Sequence, residues 1–397
     1  MVPSTQYDDG WPQRTANALK AICGVEGETL HPSRVEFLSS KEVNGVRTTK
    51  VPASMLATHA YRTCSRAREL GYEPVIFLHE YRAPNAFDVV DRARNDFPIL
   101  AQHHGSASRL WLYSLSLRKP RVVQSRGLVR RIARLTRLTA YYDFLRVSRS
   151  RTIERKFLAE IHTLFVLNKF ESWYLSSYLR IGSQIREQTM GVDFSEAKPS
   201  EDKASLRREL GLPLKGKLLV YLGNIPDYLK GTENLLAVYK ALRSRRIILA
   251  MAGSILDPQF AAAARRFGAC VFDRLPQSVA LKLLAAADLY VLPARSVLYP
   301  GGITVALAEA LACNVPAISP TLFHFPDVNE RKQVGIATRW CDDQNALRHF
   351  TNAVEFALDN ADCFRNVREL ARKYYSWEVI APRIAAAAAM AVNGTSR

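Results

Sequence analysis

The sequence predicts an α/β protein made of two doubly wound domains, in which helices cover both faces of a parallel sheet. Between residues 210 and 340, short runs of valine, isoleucine and leucine alternate with helical stretches. Continuous apolar runs of this kind are typical of strands that are buried on both faces. The first half repeats the alternation less regularly, and a chain of 397 residues is long enough for two or three domains.

The composition excludes several classes of protein. Hydrophobic residues make up 48% of the chain and charged residues 23%, which is ordinary globular usage and excludes long disorder, collagen and a pure coiled coil. The six cysteines lie far apart without a C-x-x-C pair, so a disulfide framework or a zinc site is disfavoured and a reducing compartment is favoured. The chain shows no signal-peptide pattern and no apolar run of about 18 residues. We therefore expect a cytoplasmic protein that does not cross a bilayer.

The second half supplies the clearest elements. We place its strands at Lys217–Leu222, Ile247–Ala252, Ala269–Phe272, Leu289–Leu292 and Val315–Ile318. Helices are predicted between them at Glu233–Leu242, Ser278–Ala287 and Thr304–Cys313. In a sheet of this kind, ligands bind beyond the carboxyl ends of the strands.

The first half is read in the same way. Its predicted strands are Pro74–His79, Pro98–Gln102 and Thr163–Leu167, and its predicted helices are Arg14–Cys23, Ser54–Leu70 and Lys169–Leu179. The segment Phe194–Asp202 is polar, contains Pro199 and lacks periodicity, so we interpret it as a linker. The predicted domains are therefore residues 1–194 and 203–375, followed by a terminal helix over residues 376–397.

A first candidate site follows the strand Lys217–Leu222. Gly223 and Asn224 end this strand, and Lys230 follows seven residues after the glycine. A glycine here lets the backbone approach a ligand closely, and a lysine ammonium can lie over phosphates. The alternative is a simple turn glycine with a solvated lysine.

A second candidate site opens the helix that is predicted at Thr304–Cys313. Gly301, Gly302, Ile303 and Thr304 lead into this helix, whose amino terminus favours anions. Glu309 lies in its apolar middle, where an ionised carboxylate needs a partner such as the hydroxyl pair of a ribose. The alternative is a glutamate that is exposed at the edge of an alanine-rich helix.

Taken together, these segments resemble the nucleotide-sugar half of the GT-B glycosyltransferases, specifically the retaining family 4 (group 1) type. The resemblance covers about residues 60–395 and rests on the order and spacing of short motifs. In the second half these motifs are Gly223-Asn224, Lys230-Gly231, Ala252-Gly253, Ala287-Asp288, Leu292-Pro293, Glu309-Ala310-Leu311-Ala312 and Val315-Pro316. Elsewhere they are His104-Gly105, Met190-Gly191-Val192-Asp193 and Tyr375-Ser376-Trp377-Glu378.

Three features depart from the family pattern. Asn224 replaces an arginine, which removes one positive charge from the diphosphate site, and Gly301 replaces the first glutamate of a pair. The family also opens with a strand that is central in its sheet, whereas here only Met1-Val2-Pro3 precede the first loop. We expect either that the sequence starts late or that Met1–Thr5 are a remnant of that strand.

The resemblance implies a GT-B fold: two Rossmann-like domains facing a cleft, with the C-terminal helix packing back on the N-terminal domain. It implies a hexosyltransferase that retains anomeric configuration and uses neither a metal nor a cofactor apart from the nucleotide-diphosphate sugar donor. His104, Lys230 and Glu309 would be catalytic, with His104 facing the transferred sugar; His103 is the alternative for that role, and a polar residue closing a strand is the plainer interpretation. The remaining donor contacts would come from Gly223, Asn224, Arg274, Leu275, Gly301, Gly302, Ile303 and Thr304, with Arg274 and Leu275 near the base.

The net charge of +18 is concentrated in one segment. Residues Arg109–Lys156 contain 14 basic and two acidic residues, a net charge of +12. Apolar residues at three-to-four spacing from Leu128 to Leu145 predict a basic amphipathic helix, which suits the plane of an anionic leaflet. We therefore expect a peripheral protein at the cytoplasmic face of a membrane, acting on a lipid-linked or saccharide acceptor. The alternative is a solvated, arginine-rich face of a core helix.

Three other functions remain open. A nucleic-acid-binding protein is suggested by charge alone, but no recognisable binding module supports it and we expect no nucleic-acid partner. A nucleotide-sugar epimerase would use the same scaffold. A degenerate, non-catalytic copy of a glycosyltransferase is suggested by Asn224 and Gly301.

Overall fold

The computed structural model describes residues 11–33, 37–79, 84–103, 151–295 and 302–395. The chain divides into two compact units, one comprising Met1–Thr189 with Ala381–Arg397 and the other Met190–Ile380. Each unit has its own sheet structure and its own apolar core. The predicted α/β class, with parallel sheets and intervening helices, is confirmed.

The N-terminal unit contains two sheets. The larger sheet is parallel with the strand order β4-β5-β6-β7, and its strands are β4 (Ile76–Leu78), β5 (Ile99–His103), β6 (Thr163–Val166) and β7 (Gln184–Glu187). Strands β4, β5 and β6 are the three that the sequence predicts. The smaller sheet has the order β1-β3-β2 and consists of β1 (Glu28–Ser33), β2 (Ser39–Val43) and β3 (Val46–Pro52).

The smaller sheet is not among the predicted elements, because its strands lack an apolar alternation. Strand β2 has the sequence SSKEV and is largely exposed. The turn between β2 and β3 is Asn44-Gly45, with φ angles of 50° and 76°, and Asn-Gly is the strongest short hairpin signal. The Asn44-Gly45 dipeptide is therefore the local sequence signal for the hairpin formed by β2 and β3.

The helices of the N-terminal unit are α1 (Trp11–Cys23), α2 (Leu56–Glu69), α3 (Pro84–Ala93), residues 151–159 and α4 (Lys169–Trp173), which continues as a π-helical turn over Tyr174–Tyr178. Three of these helices, α1, α2 and α4, lie at predicted positions, whereas α3 and the helix at residues 151–159 are not among the predicted elements. His104, most of the basic segment and the expected strand remnant Met1–Thr5 lie outside the described residues. Among the helices that are described, none is long and apolar enough to span a membrane.

The C-terminal unit is built on a parallel sheet with the order β10-β9-β8-β11-β12-β13. Its strands are β8 (Lys217–Leu222), β9 (Ile247–Ala252), β10 (Cys270–Phe272), β11 (Leu289–Val291), β12 (Ala317–Ile318) and β13 (Gly335–Ile336). The sequence predicts all of them except β13, which is two residues long. The chain proceeds from β8 toward one edge and then returns to β11 and proceeds toward the other. The direction of the connections therefore reverses between β8 and β11.

Helices alternate with these strands, and side chains cap several of them. The helices are α5 (Lys203–Glu209), α6 (Thr232–Ala241), α7 (Pro258–Arg266), α8 (Gln277–Ala285), α9 (Val305–Ala312), α10 (Val328–Val334), α11 (Gln344–Asp359) and α12 (Val367–Tyr375), followed by α13 (Trp377–Thr395). Aspartate side chains accept N-cap hydrogen bonds from the first turns of α5, α7, α10 and α11. Of these four helices the sequence analysis placed only the start of α5, at Lys203, whereas α7, α10 and α11 are not among the predicted elements.

The predicted linker Phe194–Asp202 is wrong as a linker, because its first residues belong to the C-terminal core. Phe194 and Ala197 are each only 1% exposed. Arg368 donates hydrogen bonds to the carbonyl oxygens of Phe194 (2.5 Å), Ala197 and Ala312. The sequence analysis missed these contacts because the segment is polar overall and because Arg368, which binds its carbonyl oxygens, lies more than 160 positions further along the chain. The division between the units falls earlier, between Thr189 and Met190.

Two of the family-like motifs contact each other. The backbone N–H of Val192 donates to the carbonyl of Tyr375 at 2.7 Å, and the N–H of Trp377 donates to the carbonyl of Val192 at 3.2 Å. A Cβ on Gly191 would overlap the indole of Trp377. This close approach explains why a glycine precedes Val192.

Removing the Arg368 side chain should destabilise the C-terminal unit. We expect Arg368→Ala to lower the free energy of unfolding by about 2–4 kcal/mol, because several carbonyl groups lose a charged donor. Urea unfolding measures the change, and Arg348→Ala, at an exposed position of α11, is the control. Equal stability of the two variants would contradict the assigned role of Arg368.

Candidate active site

The candidate site lies at the point where the strand connections reverse. In open α/β sheets, ligands bind in the crevice outside the carboxyl ends of the strands at such a point. Here the reversal lies between β8 and β11. Strand β8 ends at Leu222 and is followed by Gly223 and Asn224, and β11 leads into Pro293. The topology therefore places the first predicted motif at the expected position for a ligand.

Glycines at these strand ends allow unusually close backbone packing. Gly253, after β9, has a φ of 148°, and a Cβ there would overlap the carbonyl of Gly223. Gly231, at the start of α6, has a φ of 73°, and a Cβ there would overlap the carbonyl of Pro293. The loops after β8, β9 and β11 thus approach one another closely through their backbones.

Lys230 lies beside the end of β8. Its half-buried side chain turns back over the strand end, so a Cβ on Gly223 would lie 3.0 Å from Lys230 Nζ. The loop is held by Asp227, whose Oδ1 accepts from the backbone N–H of Lys230 at 3.1 Å. Thr232 Oγ1 in turn accepts from the N–H of Asp227 at 2.9 Å. The structure therefore brings together two residues that the sequence places seven positions apart.

Asn224 occupies the position at which the resemblance expects an arginine. The residue is exposed, and its carbonyl accepts a hydrogen bond from the hydroxyl of Tyr221 at 3.1 Å. Tyr221 itself is fully buried. Asn224 thus contributes backbone geometry to the turn and no positive charge.

The helix α9 begins at Val305, slightly later than its predicted start. Thr304 is its N-cap, and its hydroxyl accepts from the N–H of Leu307 at 3.2 Å. Gly302 and Ile303 precede the cap and are buried, whereas Gly301 lies outside the described residues. The amide groups of the first turn lack intrahelical acceptors, so this end remains favourable for an anion.

Tyr290 connects the two candidate anion sites. Its side chain is 1% exposed, and its hydroxyl lies beside the side chain of Thr304 and the backbone of Leu222. Burial raises the pKa of this hydroxyl above its ordinary value. Tyr290 therefore stays neutral and links the end of β8 to the cap of α9.

Glu309 is buried in the middle of α9. The residue is 6% exposed, so the alternative of a solvent-exposed glutamate is wrong. Gln277 Nε2 donates to Glu309 Oε1 at 2.6 Å. Cys313 lies one turn further along, where burial, followed by the charge of Glu309, raises the pKa of its thiol to about 12. Glu309 is therefore a buried side chain of an apolar helix that accepts one of its hydrogen bonds from a neutral amide.

The predicted base-contacting loop follows β10, the edge strand. Arg274 is exposed, and its N–H donates to Asp273 Oδ1 at 2.8 Å. Leu275 packs against the apolar core of the unit. Gln277 comes directly after this loop, and its bond to Glu309 is the connection between the loop region and α9.

Sequence analysis missed four residues of this site. Asp227, Tyr290 and Gln277 are described above; the fourth is Arg295, which follows β11. Arg295 donates to the Tyr228 hydroxyl at 3.3 Å and to Asn234 Oδ1 at 2.9 Å, and so holds the loop after β11 against the Lys230 loop. Only Asp227 had a local signal, since an aspartate three residues before a turn lysine favours an Asx turn.

The N-terminal unit supplies one further observation. His103 is fully buried, and its Nε2 lies 2.7 Å from Oε1 of the equally buried Glu171. This environment does not fit the alternative in which His103, in place of His104, contacts a sugar.

Within the described ranges, no group of three or more histidine, cysteine, aspartate or glutamate side chains could hold a metal ion.

Comparison with known families supports the predicted class. Residues 202–374 match the family model of the glycosyl transferases group 1. The matched segment lies within the C-terminal unit and contains Lys230, Gln277 and Glu309. The predicted resemblance to group 1 is confirmed over this segment. A comparison with curated proteins found no match.

Solved structures define the fold. Sucrose-phosphate synthase from Thermosynechococcus elongatus is 19% identical, with a TM-score of 0.68, over 94% of this chain and 90% of that one. HepE from Anabaena in complex with UDP is 14% identical, with a TM-score of 0.57, over 86% of each chain. WaaG, a glycosyltransferase involved in lipopolysaccharide biosynthesis, is 14% identical, with a TM-score of 0.55, over 94% of this chain and 96% of that one. These structures show that the chain has the fold of the GT-B glycosyltransferases.

Adding a methyl group at Gly231 should disturb the Lys230 loop. We expect Gly231→Ala to cost about 1–3 kcal/mol beyond the strain of its left-handed backbone, because its Cβ meets the carbonyl of Pro293. Gly211→Ala is a matched control, since Gly211 has a similar φ of 66° and nothing within 4 Å of its Cβ position. Urea unfolding compares the two variants, and equal losses of stability would refute the close packing.

Proposed function

We propose that the protein is a retaining, family 4 hexosyltransferase that moves a sugar from a nucleotide-diphosphate donor to an acceptor. The observation that carries this proposal is the position of the Lys230 ammonium beside Gly223, at the strand reversal of the C-terminal unit. The group 1 match over the same unit supports it. HepE, a structural neighbour, binds UDP, which makes a nucleotide-sugar donor the natural ligand to test.

The chemistry requires stabilisation of a leaving diphosphate. The bond between the anomeric carbon and the phosphate oxygen breaks, and negative charge builds on the leaving group while the sugar becomes oxocarbenium-like. A preorganised ammonium and oriented amide groups stabilise that charge. Lys230 would contribute about 1.5–3 kcal/mol, and the amino terminus of α9 about 0.3–2 kcal/mol. Neither contribution needs a metal, so we propose a metal-independent reaction.

The remaining residues would orient the donor. Glu309 would accept hydrogen bonds from the ribose hydroxyls, and the loop containing Arg274 and Leu275 would lie near the base. His104 would contact the transferred sugar. Retention of configuration would proceed without a covalent intermediate on the protein.

Loss of either charged group should slow the reaction. We expect Lys230→Ala and Glu309→Ala each to lower kcat/KM at least about tenfold, which corresponds to about 1.4 kcal/mol of transition-state stabilisation. The donor for this assay is chosen by a thermal-shift panel of UDP, GDP, ADP and their sugars, because a ligand at about a hundred times its Kd adds about 2.7 kcal/mol of stability. Lys332→Ala, at an exposed position of α10, serves as the control.

The same assay separates the competing functions. Unchanged kinetics in both site variants would remove the site assignment. A non-catalytic copy, which Asn224 still suggests, would bind nucleotide without donor hydrolysis or transfer. An epimerase would convert the donor without any acceptor. A transferase produces the glycosylated acceptor and the free nucleoside diphosphate.

The second part of the proposal concerns the acceptor. We propose that the sugar is transferred to a lipid-linked or polysaccharide acceptor at the cytoplasmic face of a membrane. The basic segment Arg109–Lys156 motivates it, and WaaG, a structural neighbour, is involved in lipopolysaccharide biosynthesis. The described end of the segment is exposed at Arg151, Arg155 and Lys156, and Ile153 between them is 42% exposed. A surface with basic and apolar residues side by side suits the interface of an anionic leaflet.

Vesicle binding should depend on charge. We expect the protein to sediment with anionic but not with neutral vesicles at low salt, and to be released at high salt, because each basic residue near such a surface contributes about 1 kcal/mol. Absence of binding to anionic vesicles at low salt would contradict the membrane proposal and leave the donor site untouched.

A further inference from the structure

Arg295 is a largely buried arginine beside the Lys230 loop. It lies shortly after the end of β11, and its side chain is only 15% exposed. Its guanidinium donates to the Tyr228 hydroxyl at 3.3 Å and to Asn234 Oδ1 at 2.9 Å, and it forms an ion pair of 3.2 Å with Glu233. One arginine therefore contacts residues that lie on both sides of Lys230 in the sequence.

Backbone contacts join the same two loops. The N–H of Arg295 donates to the carbonyl of Leu229, the residue before Lys230, at 2.9 Å. Gly231, the residue after Lys230, leaves no space for a Cβ against the carbonyl of Pro293. Lys230 therefore lies between two residues whose backbones contact the segment that follows β11.

Asn234 is oriented for its bond to Arg295. The residue is 8% exposed, and its Nδ2 donates to the carbonyl of Cys341 at 2.8 Å. The N–H of Cys341 donates in turn to the carbonyl of Ala294, the residue before Arg295, at 2.9 Å. Because its amide nitrogen is engaged in this way, Asn234 presents its amide oxygen to the guanidinium.

Burial of this arginine is costly for stability. Removing a guanidinium from water carries a large penalty, which an ion pair often does not offset. Glu233 is exposed, so water screens its charge. Nε of Arg295 is also buried without a hydrogen-bond partner among the described residues, which adds a further penalty. An apolar side chain of similar length would fill the same space without these penalties, so a role in the neighbouring site accounts better for the arginine.

We propose that Arg295 is a positioning residue that holds Lys230 in place for the leaving diphosphate. It anchors the Lys230 loop on both sides, so the ammonium already lies beside Gly223 when negative charge develops on the phosphate oxygen. Groups that are preorganised in this way stabilise such charge without moving during the reaction. This inference rests on the proposed function, and it gives Arg295 no contact with the donor.

The test compares arginine, methionine and lysine at position 295 in the transfer assay. We expect Arg295→Met to lower kcat/KM at least about tenfold, because the loop loses its polar contacts while a side chain of similar length remains. Arg295→Lys should lose nearly as much, since an ammonium lacks the planar set of donors that reaches Tyr228 and Asn234 together. Wild-type kinetics in Arg295→Lys would show that the charge alone is sufficient, and would overturn the inference.

A second measurement separates positioning from a structural role. In a Lys230→Ala background, Arg295→Met should lower kcat/KM by less than about twofold more, because the ammonium that Arg295 positions is gone. Arg295→Lys is measured in the same background, so that the comparison remains possible if Arg295→Met does not fold. Losses that are equally large with and without Lys230 would overturn the inference, because Arg295 would then act independently of the lysine.

Arg207→Met is the matched control. Arg207 is also a buried arginine, and it donates to the carbonyl of Gly216 at 2.9 Å and to Asp288 at 2.8 Å. Gly216 and Asp288 directly precede β8 and β11, so Arg207 lies at the opposite ends of the same two strands. We expect its replacement to lower the Tm without changing kcat/KM below the unfolding transition. An equal loss of kcat/KM in Arg207→Met would attribute the effect of Arg295 to general loosening of the unit and overturn the inference.

Failure of this inference and failure of the proposed function give different results. If the wild type transfers sugar and Lys230→Ala impairs transfer, wild-type kinetics in Arg295→Met overturn only the positioning role. A wild type that neither binds nor turns over any of the nucleotide sugars in the panel would refute the proposed function, and this inference with it. Thermal unfolding of every variant defines the temperature at which the kinetics are compared.

Discussion

The steric contact between backbones at the ends of β8, β9 and β11 is the constraint on which the candidate site depends. Gly253 lies against the carbonyl of Gly223, and Gly231 lies against the carbonyl of Pro293, with no space for a Cβ at either glycine. Both glycines also have positive φ angles, which other residues adopt only with strain. Because the loops pack closely through their backbones, with side-chain hydrogen bonds of Asp227 and Arg295, the Lys230 side chain lies close to the end of β8.

Electrostatics shape the other half of the site. Glu309 is a carboxylate on an apolar helix, and burying such a charge is costly without hydrogen bonds. The amide of Gln277 contributes one of these bonds without contributing a charge. The neutral hydroxyl of Tyr290, whose pKa is raised by burial, lies in the same region. In the C-terminal unit, Lys230 thus lies on a loop and Glu309 on a helix, so its positive and negative groups come from different elements.

In the N-terminal unit, buried hydrogen bonds between polar side chains connect a helix to the smaller sheet. This sheet is joined to α1 by buried hydrogen bonds, in which Gln13 Oε1 accepts from Thr29 at 2.8 Å and also from Thr48. Side-chain amides and hydroxyls are therefore buried between this helix and this sheet, beside apolar residues such as Val46 and Val51. Periodicity of apolar residues could not reveal such an interface, which is why β1, β2 and β3 were absent from the predicted elements.

The sequence by itself determined the α/β class, the strands from β8 to β12 and the group 1 resemblance, because apolar runs and motif order are local properties of the chain. It also indicated Lys230, after the end of β8, and Glu309, in the middle of α9, as charged groups of the candidate site. Only the tertiary structure decided that Phe194 belongs to the C-terminal core, that Glu309 is buried, and that Gln277 donates to it. Those facts depend on contacts between residues far apart in the chain, and no local pattern encodes which distant side chain will satisfy a buried carbonyl or carboxylate.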